Sequence, residues 1–131
     1  MIRAALALAA AAAAQPQQFD LSCQGPGGAD GKTTIAWTEL AIELRVDLAG
    51  KRWCEGDCKA IHPIAEIQPA SIWLEHQSEY ERARQIVHFR TLNRETGGYT
   101  RIEETRYGTI SQHGQCTAKP FSGFPDIKTK F

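Results

Sequence analysis

Residues 85–116 constrain the fold of this chain more than any other stretch, because they read as a strand, a tight turn and a returning strand. The turn spans 93–98, and its asparagine and two glycines suit the positive-φ positions of a chain reversal. The flanks, 85–92 and 99–107, are rich in the β-branched and aromatic residues that favour strands. The stretch therefore predicts a β-hairpin.

The alternation of the first flank indicates an irregularity close to the turn. Val87, Phe89 and Thr91 share one face of a strand, and Leu92 breaks that alternation. A bulge beside the turn would produce this pattern. We expect the hairpin to be structural. The alternative is a binding loop, whose contacts would be the two charged residues at its tip, Arg94 and Glu95.

Three further segments have the patterns of strands. Residues 42–49 alternate strictly between apolar and mostly charged side chains, which predicts a strand with one buried face. Residues 19–23 and 71–76 show shorter versions of the same alternation. Between them, Pro63 and Pro69 argue against a helix and a central strand, and indicate an extended edge or a loop.

The remaining segments leave two local questions. Residues 78–84 suit a helical turn and a loop equally, because Ser78 and Glu81 have the spacing of a capping box. In the tail, we expect the phenylalanines to plug one end of the sheet; they are Phe121, Phe124 and Phe131. Taken together, the turn signals separate about six to seven short strands. This pattern predicts an all-β domain at 15–131, a small antiparallel barrel or sandwich.

Residues 1–14 have the pattern of a secretory signal peptide. Arg3 gives a positive start, the run 4–14 is unbroken and apolar, and it ends in three alanines that suit a cleavage site. The run is too short to anchor the protein in a membrane, and no second apolar run approaches that length. We therefore expect export to the periplasm or the medium, no membrane span, and a monomeric product.

Four cysteines in a small exported chain indicate two disulfides. Three pairings are possible, and we favour Cys23 with Cys116 and Cys54 with Cys58, because the first would join the opening strand to the closing one. A zinc site that combines Cys54, Cys58 and His62 and a redox pair at 54–58 are weaker alternatives. An oxidising compartment disfavours the zinc site, and the acidic spacer disfavours a low thiol pKa.

The charge balance excludes a basic surface for nucleic acid. The whole chain has 15 basic and 15 acidic residues, and the predicted loss of Arg3 leaves 14 and 15. Basic and acidic residues are also interleaved, so no patch concentrates positive charge. We expect no nucleic-acid partner.

The histidines match no catalytic or metal-binding motif. His76 and Glu79 would meet if they lay on a turn, and His88 would face Glu103 or Glu104 across the hairpin, which is the pairing that general acid–base catalysis needs. No serine has the surroundings of an activated nucleophile. We predict no catalytic, cofactor-binding or metal-binding residue and no cofactor.

Three pieces of the chain resemble short exported Gram-negative proteins of unknown function: 45–58, 92–97, and 114–116 with the tail 121–125. The chain is also similar, more loosely, to small periplasmic barrels that inhibit C-type lysozymes. Those proteins begin with a strand that ends in cysteine and close near a C-terminal cysteine, as Phe19 to Cys23 and Cys116 do here. The inhibitory loop of that family has no counterpart here, so no inhibitory residue is transferred.

These observations predict a non-catalytic binding module of the cell envelope. Its partner would be an envelope protein or a small ligand. One form of this hypothesis places an apolar ligand inside the barrel, lined by Trp37, Trp53 or Trp73. The alternatives are a small periplasmic hydrolase that uses a histidine–carboxylate pair, and a protein that resembles the lysozyme inhibitors.

Overall fold

The computed structural model describes residues 16–32, 35–81, 84–105 and 108–126, in which all regular structure is β. The predicted signal peptide, 1–14, lies outside these ranges. The strands are β1 (Gln18–Gly25), β2 (Gly28–Ala29), β3 (Ile35–Trp37), β4 (Leu40–Asp47), β5 (Arg52–Glu55), β6 (His62–Pro63), β7 (Glu66–Ile67), β8 (Ser71–Glu81), β9 (Arg84–Asn93), β10 (Gly98–Thr105) and β11 (Gly108–Lys119). The all-β class is confirmed. The described residues form eleven strands rather than six or seven, because four of them have only two or three residues.

The strands form one curled sheet in the order β6-β5-β4-β1-β11-β10-β9-β8-β7. Neighbours are antiparallel, except that β3 runs parallel to β11 at its free edge. β6 and β7 stand at opposite ends of this order, yet Ile64 and Ala65 alone separate them in the chain. The sheet must therefore curl back on itself into a half-barrel, with one concave inner face.

Apolar residues of the alternating strands fill the inner face. In β4, Leu44 and Val46 are completely buried, whereas Glu43 before them is exposed and Arg45 between them is half-buried. The predicted alternation of 42–49 is thus confirmed. The core consists of these two residues and of Leu21, Cys23, Leu40, Leu48, Trp53, Ile64, Ile72, Leu74, Leu92 and Tyr99.

The predicted hairpin is confirmed as β9 and β10. Asn93 closes the turn, since its Oδ1 accepts hydrogen bonds from the backbone N–H groups of Glu95 and Thr96, and Gly97 has a φ of +77°. The predicted bulge at Leu92 is wrong, because the β9–β10 register runs without a shift through the Leu92–Tyr99 pair. Leu92 belongs to the buried face, and the residues at 87, 89 and 91 face outward. The irregularity lies instead between β8 and β9, at Trp73/Glu75.

Two local expectations are wrong. Residues 78–81 form neither a helical turn nor a loop; they continue β8, because pairing with β9 outweighs the local capping signal. The tail crosses the outer face of β1 and β4 rather than plugging an end: Ser122 N–H donates to Asp20 Oδ1, and Arg45 Nη1 donates to Gly123 O at 2.8 Å. The rings of Phe121 and Phe124 meet edge to face there. Phe131 lies outside the described residues.

Both predicted disulfides are confirmed. Cys23 and Cys116 are direct cross-strand partners in β1 and β11, and their Cα atoms are 4.0 Å apart. Cys54 and Cys58 close the short loop after β5. Two disulfides fit a protein that folds outside the cytoplasm.

Candidate functional site

The inner face of β8–β11 changes from apolar to charged along the strands. Residues that pair across neighbouring strands form three successive rungs. The apolar rung consists of Ile72, Leu92, Tyr99 and Gly114. The charged rung consists of Glu75, Arg90, Arg101 and Gln112. The third rung, which lies farthest from the turn after β9, consists of Gln77, His88, Glu103 and Ile110. This gradient separates an apolar cavity at one end from a charged layer at the other.

The apolar end contains a cavity of about 310 Å³. It lies inside the curl, beside the turn that follows β9. Small-molecule sites typically occupy roughly 300–1,000 Å³ and are mostly apolar, so this volume suits a small ligand. The lining residues are Pro16, Phe19, Leu21, Ile72, Leu92, Asn93, Arg94, Gly97, Cys116 and Ala118.

The residues with polar side chains among those that line this cavity come from the turn, Asn93 and Arg94. The side-chain oxygen of Asn93, Oδ1, already accepts two backbone hydrogen bonds. The other end of this side-chain amide is its NH₂ group, which is a hydrogen-bond donor. Arg94 donates from Nη1 to Gln68 O at 3.1 Å, and its guanidinium has five N–H donors and no acceptor. The polar edge of the cavity is therefore a set of donors that includes one positive charge.

The charged layer is built around Arg90. Its Nη1 donates to Glu55 Oε1 at 2.7 Å, and its Nε lies 3.2 Å from Glu75 Oε2, an ion-pair contact without hydrogen-bond geometry. The Arg90 guanidinium carbon lies 5.3 Å from the Trp53 ring centroid, within the roughly 6 Å at which a cation–π contact forms. Trp53 in turn donates from Nε1 to Leu74 O at 3.0 Å. This layer joins β5 to β8 and β9 across the interior.

Tyr99 lies next to this layer and is almost completely buried, at 1% exposure. Its hydroxyl interacts with the Arg90 guanidinium, but no hydrogen bond of good geometry reaches it from the described residues. Burial raises the pKa of Tyr99 above its ordinary value, although the positive charges of Arg90 and Arg101 oppose the shift. Burial lowers the pKa of Arg90, but the acidic groups of Tyr99, Glu55 and Glu75 outweigh it, so the net shift is upward. At neutral pH Tyr99 is therefore uncharged and Arg90 is charged.

None of the three tryptophans predicted to line an apolar site lines the cavity. Trp53 packs in the core at the charged layer. Trp73 lies on the outer face, where its ring contacts His76 and Phe89 at centroid distances of 4.8 and 5.6 Å. Trp37 lies on the short strand β3. An internal apolar cavity is therefore present, but the tryptophans predicted to line it do not.

The histidine pairs have different outcomes. His76 and Glu79 lie on opposite faces of β8, so they cannot meet on a turn. His88 and Glu103 are direct cross-strand partners, as the hairpin predicted. The Glu103 carboxylate is engaged by Arg101, with which it forms a close ion pair.

The zinc site proposed for 54, 58 and 62 is not formed, because both cysteines are consumed by their disulfide. His62 instead stacks against Trp53 at a centroid distance of 4.9 Å. Within the described ranges, no group of three or more histidine, cysteine or acidic side chains is placed to hold a metal ion. The same ranges contain no helix with the length and apolarity that a membrane crossing requires.

Sequence reasoning missed Arg90 as a buried residue. The signal was present in Leu92, because a strand that buries Leu92 also turns position 90 to the inside. The alternation of residues 87, 89 and 91 indicated instead that the other face was buried, so the inward position of Arg90 was not predicted. The cavity left no comparable signal in the sequence, since its walls come from four strands and a turn.

Comparisons of the chain with protein-family models, with curated proteins and with solved structures found no match. The resemblances to exported proteins of unknown function and to lysozyme inhibitors therefore stay predictions. Function has to be argued from the cavity and the charged layer.

Proposed function

We propose that the protein is a non-catalytic binding module of the cell envelope, and that its ligand enters the apolar cavity. The observation that carries this proposal is the cavity itself. Ligand sites are mostly clefts lined by apolar side chains with a few polar groups. Here Leu21, Ile72 and Leu92 belong to the core and also line about 310 Å³ of open space.

The export that this function requires has independent support. Disulfides persist in oxidising compartments such as the bacterial periplasm, and both disulfides of this chain are formed. The leader at 1–14 has the composition of a signal peptide. These observations support a mature protein that functions in the periplasm or the medium.

The test is a titration of the exported protein with N-phenyl-1-naphthylamine, a neutral apolar probe whose fluorescence rises in apolar surroundings. We expect saturable binding of one probe per chain. Ala118 lines the cavity, so Ala118→Trp should fill it and abolish the binding. Thr117 is its exposed neighbour on the outer face of β11, so Thr117→Trp is the matched control and should bind normally.

Two results would reject the proposal. One is an absence of saturable binding by the folded wild-type protein. The other is an equal loss or an equal retention of binding in the two tryptophan variants, which would place the probe outside the cavity.

A small hydrolase is the second candidate, because the strand register places His88 opposite Glu103. It predicts hydrolysis of p-nitrophenyl acetate that His88→Ala abolishes and that His113→Ala, on the outer face of β11, leaves unchanged. Equal rates in wild type and in His88→Ala would reject it.

A further inference from the structure

We propose that the cavity binds an amphiphile with a single aliphatic chain and an anionic head, and that Arg94 recognises the head. This inference rests on the proposed function and deepens it by naming the class of ligand. Three observations carry it: the shape and chemistry of the walls, the donors at the edge, and the charge of the residues that line the site.

The walls suit an aliphatic chain. The deep lining is formed by Phe19, Leu21, Ile72 and Leu92, which offer no hydrogen-bonding side-chain group. The volume of about 310 Å³ lies at the lower end of small-molecule sites, which favours one chain over a two-chain lipid. Burial of each methylene contributes roughly 0.8 kcal/mol, so affinity should rise with chain length until the cavity is full.

The backbone around the edge is already satisfied. Gly97 N–H donates to Asn93 O, and Gly97 O accepts from Cys116 N–H. The ligand must therefore be recognised by side chains. The Asn93 amide and the Arg94 guanidinium are both donors, which matches a head that only accepts hydrogen bonds.

The charge of the edge selects an anion. Arg94 is the charged residue among those that line the cavity. Its guanidinium is always protonated, so it presents a positive charge to a carboxylate head even while Nη1 donates to Gln68 O. Partial burial of Arg94 reduces the screening of its charge by water and salt. An ammonium head would meet a like charge there, and a hydroxyl head would gain only neutral hydrogen bonds.

The experiment compares decanoate with 1-decanol, which share the chain length and differ in the head. Both are titrated at neutral pH and low ionic strength, below the concentration at which they aggregate, by displacement of N-phenyl-1-naphthylamine. We expect wild type to bind decanoate roughly ten- to a hundredfold more tightly than decanol, the factor given by hydrogen bonds to a charged group.

The variant Arg94→Gln should remove this preference, while its affinity for decanol stays within about twofold of wild type. The retained decanol affinity shows that the cavity of the variant is intact, so a folding defect cannot imitate the result. Lys119→Gln is the matched control. It removes the same charge from the strand position next to Ala118, where Lys119 lies 3.5 Å from Glu43 and outside the cavity. It should keep the wild-type preference.

The outcomes separate the two proposals. If wild type binds both compounds equally, or if Arg94→Gln weakens both to the same degree, the head-group inference is rejected and the apolar site stands. If the probe does not bind to the folded wild-type protein, so that neither compound can displace it, the proposed function fails and the head-group inference fails with it.

Discussion

Removal of the Cys23–Cys116 disulfide should destabilise the protein far more than removal of Cys54–Cys58. The first bridge joins residues separated by 93 positions and the second joins residues separated by 4. In the chain-entropy model the long closure stabilises the fold by about 4.6 kcal/mol at 25 °C and the short one by about 1.9 kcal/mol. The difference of about 3 kcal/mol is a large fraction of the roughly 5–15 kcal/mol that stabilises a typical domain.

Two double variants isolate this effect, Cys23→Ala/Cys116→Ala and Cys54→Ala/Cys58→Ala. Each removes two sulfur atoms, and Cys23, Cys54 and Cys58 are all completely buried. Losses from packing should therefore be similar, and the length of the closed loop is the main difference. The register of β1 with β11 already aligns Cys23 and Cys116, so their removal does not require the strands to separate.

The assay is equilibrium unfolding in urea, followed by tryptophan fluorescence. The long-loop variant should show the larger fall in unfolding free energy. Its dependence on urea should also become steeper, because an unfolded chain without the long closure exposes more surface. Equal losses in the two variants, or a larger loss in the Cys54→Ala/Cys58→Ala variant, would refute this account of how the disulfides stabilise the fold.

Three further predictions concern the interior. Arg90→Ala should lower the unfolding free energy by about 2 kcal/mol, because it leaves the half-exposed carboxylates of Glu55 and Glu75 without their cation. The control Lys59→Ala, which removes an exposed ion pair, should leave urea unfolding unchanged. Tyr99→Phe should match or exceed wild-type stability at pH 7, by about 1 kcal/mol at most, since it removes a buried hydroxyl that lacks a hydrogen bond of good geometry. Burial raises the pKa of Tyr99 in the folded state, so the unfolded state loses its proton first as pH rises. Wild type should therefore lose stability above about pH 10. Urea unfolding between pH 8 and 11 should show a shallower decline of stability in Tyr99→Phe than in wild type. Gly114→Ala should cost about 1–3 kcal/mol in the same assay, because the new Cβ would lie 2.5 Å from Gln24 O, whereas Gly31→Ala meets no atom within 4 Å and should be silent.

Local physics made several features of the fold predictable. The hairpin followed from the glycines and Asn93, whose side chain does cap the turn. The strict alternation of 42–49 predicted a half-buried strand, and Leu44 and Val46 are its buried residues. The even number of cysteines predicted two disulfides. Each of these signals lies within a few residues or in the composition of the chain.

The errors arise where pairing within the sheet overrides what a local pattern suggests. In the segment 85–92, period-two alternation shows that a strand has two faces but does not say which face is inside. The apolar pattern favoured Val87, Phe89 and Thr91, yet the fold buries Leu92 and turns Arg90 inward with it, where the Arg90 side chain keeps 12% of its exposure. At 78–81, pairing with β9 overrode the capping-box spacing in the same way.

The sequence alone determined that the chain is a disulfide-bonded β protein with a strong turn after β9, because turn chemistry, alternation and cysteine count act locally or through composition. Only the tertiary structure decided where the interior is apolar and where it is charged. Arg90 is tolerated inside because Glu55 and Trp53 from β5 reach it across the curl. The cavity exists because residues from β1, β8, β9 and β11 approach one another without filling the space between them. Contacts between residues so far apart in the chain depend on the curvature and register of the whole sheet, which no local pattern specifies.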